Sequence, residues 1–322
     1  MNAAAKLGSY VLGLAVVFGG ALGVGKAVGP VAAAAPAEDH AAMTAAPSAS
    51  PSQSAEHGEH ATTQQAESDT PGGLQVSENG YTLTTLTETI NPGEATEFPF
   101  TVTGPDGKPV TGYEVEHDKK LHFIVVSRDL GSFQHLHPAE AGGGVWSVDL
   151  TLPEAGTYRA FADFVPTGGQ ALTLGTDLTV AGEFEPKALP KISRTAEVDG
   201  YTVTLDGDLT PGQSSKLSLK ISKDGEPVTD LQPYLGAYGH LVALRARDLA
   251  YLHVHPEESE KAGPEIVFYA EVPSTGDYRL FLDFQHDGKV RTADFTVGAG
   301  ERPAIPDATP TPSASGHGDH SH

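Results

Sequence analysis

LPEAGTYRAFADF at residues 152–164 and VPSTGDYRLFLDF at residues 272–284 decide the fold. Each carries P-x-x-G-x-Y, as Pro153, Gly156 and Tyr158 and again as Pro273, Gly276 and Tyr278. This is the pattern of a tyrosine corner, in which a tyrosine near the start of a strand ties back to the turn before it in an immunoglobulin-like sandwich. After the second corner Tyr278, Leu280, Leu282 and Phe284 alternate with Arg279, Phe281 and Asp283. Side chains on a strand point alternately to opposite faces, so the first set reads as core and the second as outer face.

Outward from the corners, the chain repeats itself. NGYT (79–82) recurs as DGYT (199–202), GPDGKPVT (104–111) as SKDGEPVT (222–229), and LHFIVVSRDLGSFQHLHP (121–138) as GHLVALRARDLAYLHVHP (239–256). Short apolar or alternating runs are separated by Gly, Pro and Asp turns every ~8–12 residues, which is the spacing of a sandwich or barrel. Asp106-Gly107 and Asp224-Gly225 are hairpin signals. The expected fold is all-β, with two tandem immunoglobulin-like β-sandwich domains at 75–182 and 199–298, joined by a Pro-containing linker at 183–198.

The flanks differ in kind. Within residues 1–30, Lys6 precedes an uncharged run, LGSYVLGLAVVFGGALGVG (7–25), nearer a membrane span of ~20 residues than a signal core of ~7–15. We read it as an N-terminal transmembrane anchor with the remainder outside the cell. The alternative is a signal helix cleaved near Ala37, giving a secreted protein. Residues 31–74 and 299–322 are Ala-, Ser-, Thr- and Pro-rich with scattered histidines, and are expected to be disordered.

Composition removes several functions. The formal net charge of -22 argues against nucleic acid, whose phosphates call for a basic face. With no cysteine there are no disulfides, thiolate metal sites or cysteine nucleophiles. Met1 and Met43 are the only methionines, which argues against a methionine-rich Cu(I) carrier.

Both repeats contain H-x12-H-x-H-P: His122, His135 and His137 in the first, His240, His253 and His255 in the second. Histidines at i and i+2 of a strand point to one side with Cα atoms ~6.5–7 Å apart. A hairpin turning midway sets His122 opposite His135, and His240 opposite His253, with Cβ atoms ~5 Å apart. Three imidazoles then converge once per sandwich, the open three-ligand arrangement of many Zn and Cu sites. The competing reading is of histidines held by hydrogen bonds in the core. Leu241 and Ala243 on one face, and Val242 and Leu244 on the other, leave open which face is buried.

Asp163 and Asp283 recur on the strand after the corner, as a fourth ligand or as carboxylates orienting an imidazole. A salt bridge to Arg159 or Arg279 is the reading we favour for them. His317, His320 and His322 in GHGDHSH, like His57 and His60 in EHGEH, form clusters that capture metal weakly. Cleavage after Ala37 would leave Glu38-Asp39-His40 as a terminus suited to square-planar Cu(II) or Ni(II).

The stretches LHFIVVSRDLGSFQHLHP and GHLVALRARDLAYLHVHP resemble actinobacterial exported, membrane-anchored heavy-metal-binding proteins, and YtkA-like modules linked to copper handling. The opening LGSYVLGLAVVFGGALGVG is similar to the anchor of the same group. The likeness covers the anchor and both repeats but not the tails. It implies an immunoglobulin-like fold and a metal role for His122, His135, His137 and their second-repeat counterparts. Lys119-Lys120 stands before His122 where relatives carry Met or His, a departure that weakens the first site.

The leading expectation is an extracytoplasmic, non-enzymatic metal-binding protein that buffers or delivers Cu(II) or Zn(II). Its partners are then the ion and the membrane, with no nucleic acid and no protein partner indicated. Imidazoles ligate when neutral, so affinity is expected to fall below about pH 6. The alternative is a cell-surface adhesion or spacer module with structural histidines. A metal-dependent hydrolase ranks third, since no nucleophile elbow is present.

Overall fold

The structure, a computed structural model, describes residues 70–300 except Glu88, His253, Glu258 and Glu260, and describes His255 by its backbone alone. The anchor, most of the spacer, and the tail histidines His317, His320 and His322 lie outside the described residues. Within them the chain is all strand, turn and loop.

The first repeat holds β1 (Ser77–Glu78), β2 (Tyr81–Thr85), β3 (Ala95–Thr103), β4 (Leu121–Ser127), β5 (Phe133–Leu136), β6 (Ala139–Gly142), β7 (Val145–Thr151), β8 (Gly156–Phe164) and β9 (Leu172–Val180). One sheet runs β1-β2-β3-β7-β6 and the other β5-β4-β8-β9, all antiparallel. The pairing is that of an immunoglobulin-like sandwich, β2-β3-β7-β6 in ABED order against C, F and G in β4-β8-β9, with one added edge strand on each sheet, β1 and β5.

The second repeat holds β10 (Thr195–Val198), β11 (Tyr201–Asp206), β12 (Ser214–Lys223), β13 (Glu226–Pro227), β14 (Gly239–Arg245), β15 (Tyr251–Leu252), β16 (Val254–Pro256), β17 (Glu265–Glu271), β18 (Gly276–His286) and β19 (Lys289–Ala299). Its sheets are β10-β11-β12-β17-β16, with β13 on β12, and β15-β14-β18-β19.

Each sandwich closes on its own core. Phe98, Phe100 and Phe123 pack in the first, with Phe100 stacked on Phe123 at 4.6 Å between ring centroids. Both tyrosine corners form. The Tyr158 hydroxyl donates to the Glu154 carbonyl at 3.0 Å, and the Tyr278 hydroxyl to the Ser274 carbonyl at 2.7 Å. Tyr278, Leu280, Leu282 and Phe284 are buried in the second core, as the alternation requires.

The outer faces are buried too. Ile124, Val126, Leu130 and Phe161 of the first repeat form one apolar cluster with Val242, Leu244, Leu249 and Phe281 of the second. Phe133 lies flat on Phe281, centroids 4.0 Å apart, and Tyr251 packs on Phe161 at 5.6 Å. The β5-β4-β8-β9 and β15-β14-β18-β19 sheets thus meet face to face. Leu241 and Ala243 point into the sandwich core, while Val242 and Leu244 point at the other repeat. Both faces of these strands are apolar because each has a protein neighbour.

Two expectations need correction. The hairpin register puts His135 opposite Ile124, so His122 stands two positions further along β4 than expected. The loop sets this register. The Ser127 hydroxyl accepts from the Gly131 and Ser132 amides, and Leu130, at φ 61, turns into the shared cluster. The second correction concerns the aspartates. Arg159 bonds Asp177 and the Gly73 carbonyl, and Arg279 bonds Asp294 and Thr296, so neither arginine takes the aspartate on its own strand. Four residues along a strand is ~13 Å, beyond the reach of such a pair.

Candidate metal centre

The site forms at one end of the seam between the repeats. Two short turns shape it. Glu116 and Lys119 exchange backbone hydrogen bonds of 2.8 and 3.0 Å around His117 and Asp118, both with positive φ (48 and 60). Tyr234 and Ala237 do the same around Leu235 and Gly236 (φ 52 and 76). These are two-residue turns of the primed type, which match the twist of the strands they join.

Each turn fixes one histidine. His122 Nε2 donates to the Glu116 carbonyl at 3.2 Å, and His240 Nε2 donates to the Tyr234 carbonyl at 2.7 Å. A carbonyl only accepts, so Nε2 carries the proton and Nδ1 a lone pair on both neutral rings. His135 is set from across the seam: its Nδ1 lies 2.8 Å from the carboxylate of Asp283, both side chains buried. On a neutral ring this leaves a lone pair on His135 Nε2; on a ring protonated against Asp283 it leaves a second N–H. Asp283 is itself held by the Thr292 hydroxyl at 2.5 Å.

His122 Nδ1 and His135 Nε2 face each other at 3.1 Å. Two lone pairs at this separation repel unless a proton or a cation lies between them. His137, just past the end of β5, completes the group. One donor atom from each of His122, His135 and His137 lies within 4.8 Å of the others. His137 Nε2 is buried without a hydrogen-bond partner, while its Nδ1 is 3.5 Å from the Tyr234 hydroxyl. An unpartnered buried nitrogen beside two ring nitrogens that need a proton or a cation between them fits an ion. The 3.1 Å separation is close to the edge of a tetrahedron with metal–nitrogen bonds of ~2.0–2.1 Å.

Burial and the neighbouring rings favour the neutral form of His122, His137 and His240. His122 is lowered to about 4, first by burial and then by His135. His137 is lowered to about 3 by burial, His135 and His122, and His240 is lowered chiefly by burial. Both lie below the pH of about 6 expected for unperturbed imidazoles.

Of the residues singled out in the sequence, His122, His135 and His137 converge, and His240 and Asp283 join them from the second repeat. Asp163 pairs in register with His122 on the neighbouring strand, but its carboxylate accepts from Thr173 at 2.8 Å and from the Tyr251 hydroxyl at 3.4 Å. His253 and the His255 side chain lie outside the described residues. Lys120, one of the two lysines before His122, pairs with Glu140 at 2.9 Å. Sequence reasoning missed His117, Tyr234 and the Glu116 carbonyl. Their turns lack the Asn-Gly or Asp-Gly signature that marks such turns, and His117 has no counterpart in the second repeat.

Folded as two immunoglobulin-like sandwiches with a histidine cluster at their seam, the chain defines a class of tandem β-sandwich protein. More particularly, it belongs to a family described as a domain of unknown function, DUF8832, whose model matches residues 75–182 and 196–301. No curated protein matches it. Among solved structures it is similar to the Escherichia coli adhesin FdeC, at 18% identity and TM-score 0.25 over 70% of this chain and 65% of that one. InvD of Yersinia pseudotuberculosis gives 15% and 0.24 over 70% and 59%, and the S-layer protein SbsC domains 4 and 5 give 13% and 0.21 over 70% and 98%. The chain thus spans less than two thirds of the length of the first two, and such distant likeness carries nothing about function.

Proposed function

We propose that this is an extracytoplasmic, non-catalytic binding module that holds one Cu(II) or Zn(II) ion between its repeats, for buffering or delivery. His122, His135 and His137 are the ligands, and Asp283 orients His135. The observation that carries the reading is the donor set itself: two ring nitrogens opposed at 3.1 Å beside a buried imidazole nitrogen with no partner. Imidazole suits both metals, and intrinsic affinity favours Cu(II). The anchor expected from the sequence would hold the module at the outer face of the membrane.

Isothermal titration of the chelator-treated full chain with each ion tests this. The wild type should bind one ion more tightly than the His135→Ala/His137→Ala variant, which keeps the twelve other histidines, among them His117, His122 and His240. Binding curves that coincide would remove the site.

The second reading is the adhesion or spacer module with structural histidines, favoured by the continuous apolar seam that joins the repeats. On that reading the double variant loses stability and added ion gives the wild type none. A protein that binds the ion in its folded state alone gains stability with ion concentration.

A further inference from the structure

We infer that His117 and His240, one from each repeat, form an outer ion position through which the metal reaches the inner three-histidine site. This rests on the reading of that inner site as a metal centre.

The two rings stand together at the entrance. His117 is exposed, on the turn of the first repeat, and His240 is buried on β14 of the second. Their centroids are 5.2 Å apart. From there the path is short: His117 lies 6.2 Å from His122, and His240 6.3 Å from His135. All four rings line one cavity of about 390 Å³, large enough for a hydrated ion.

The chemistry of His240 matches that of an inner ligand. Its Nε2 proton is spent on the Tyr234 carbonyl, just as the His122 proton is spent on the Glu116 carbonyl. Both rings therefore offer Nδ1, and on His122 that is the atom turned toward His135. Tyr234 connects the two levels, with its carbonyl on His240 and its hydroxyl 3.5 Å from His137 Nδ1. His117 makes no hydrogen bond to a described residue, so its nitrogens compete for nothing else there. Its place on a positive-φ turn carries the ring out over the cavity mouth. Two imidazoles are too few to retain a divalent ion against three, which gives the outer pair a role in transfer and the inner set a role in storage.

The ligand class is an imidazole-preferring divalent first-row ion, and the probe is Cu(II) in the full-length chain. His117→Asn removes the imidazole while keeping a residue that tolerates positive φ. Stopped-flow loading from a weak chelator, followed by the copper absorption band, should be about 10-fold slower in this variant, while the equilibrium affinity of the retained ion is unchanged. His240→Gln is the second variant and should slow loading similarly, its fold checked by circular dichroism. Loading of His117→Asn at the wild-type rate overturns the outer position and leaves the inner site standing. Wild type and His135→Ala/His137→Ala that load alike in rate and amount overturn both.

Discussion

The two repeats carry the same histidine spacing and use it differently. In the first, β5 runs to Leu136 before the chain crosses to the opposite sheet at Ala139, so His135 stays beside β4 and His137 falls just past the strand end. In the second, β15 is over at Leu252, and Val254–Pro256 already pairs with β17, placing the His255 backbone opposite Tyr269 in the other sheet. The same motif is therefore presented by different strand pairings. What the second repeat gives to the described site is a carboxylate, a phenol and one imidazole. Duplication followed by face-to-face packing has produced one composite centre at this end of the seam.

The arginines diverge in parallel. Arg279 meets Asp294 and Thr296 on its own β19. Its counterpart Arg159 also meets a carboxylate on its neighbouring strand, Asp177 of β9, but takes as its second partner the carbonyl of Gly73, at 2.9 and 2.6 Å. Gly73 also donates to Thr173, and Gly72 accepts from the Tyr251 amide of the second repeat. The segment entering the first repeat thus straps the two together, in the place that Asp294 fills in the second. Gly175, opposite Phe161, leaves room for it: a Cβ there would lie 2.0 Å from the Gly73 carbonyl oxygen.

The largest expected effect falls on the shared face. Phe281→Ala removes the ring stacked on Phe133, in a cluster with no solvent to fill the gap, and should cost ~3–5 kcal/mol in urea denaturation. A loss below about 1 kcal/mol would mean the repeats pack loosely and each core stands alone. Next comes Gly175→Ala, which drives a methyl into the strap and should cost ~1–3 kcal/mol. No loss there would show that the strap is not docked in solution.

At the site the comparison becomes a test of the aspartates. Asp283→Asn keeps the size of the side chain but loses the charge that orients His135, and should weaken ion affinity by ~10–100-fold. Asp163→Asn, at the equivalent position of the first repeat, acts on Tyr251 and Thr173 and should leave affinity almost unchanged. Equal effects from the two would place a second ion by Asp163 and restore the symmetry expected from the sequence.

The parts of the fold set by local chemistry were readable in the sequence: the corner tyrosines, the alternation along β18 and the repeat itself. Which outer face was buried was not, because Phe281 and Val242 look like surface residues until the other repeat covers them. The triad was legible as a spacing and its register was not. That register depends on Ser127 and Leu130 closing the loop, and Leu130 at positive φ carries no turn signature. Asp283 was readable as a carboxylate that orients an imidazole, but which imidazole was not, since its partner His135 is 148 residues away in sequence and in the other sandwich.

The smallest effect is a pH dependence of the metal-free protein, and its sign follows from the site. His122 and His137 ionise at about 4 and about 3 in the folded chain, against about 6.5 when unfolded. Between those values the unfolded state binds more protons than the folded one, so stability rises with pH across the window. The contribution is whole above about 6.5 and declines as pH falls toward 4 and then 3. The lowered carboxylates, such as Asp129 and Asp248, act in the same direction but start only from 3.8, so they overlap the low end of the window, where His137 titrates, and not its upper part. Denaturation in the presence of chelator at pH 7, 5.5 and 4.5 should therefore show a falling midpoint, with a shallower fall in His122→Asn. His240 is lowered as well and adds to the slope from the second repeat, so the acid sensitivity belongs to the seam as a unit. A midpoint flat over this interval would mean the rings stay open to water when the repeats are together, against the burial that the packed seam gives His122 and His240.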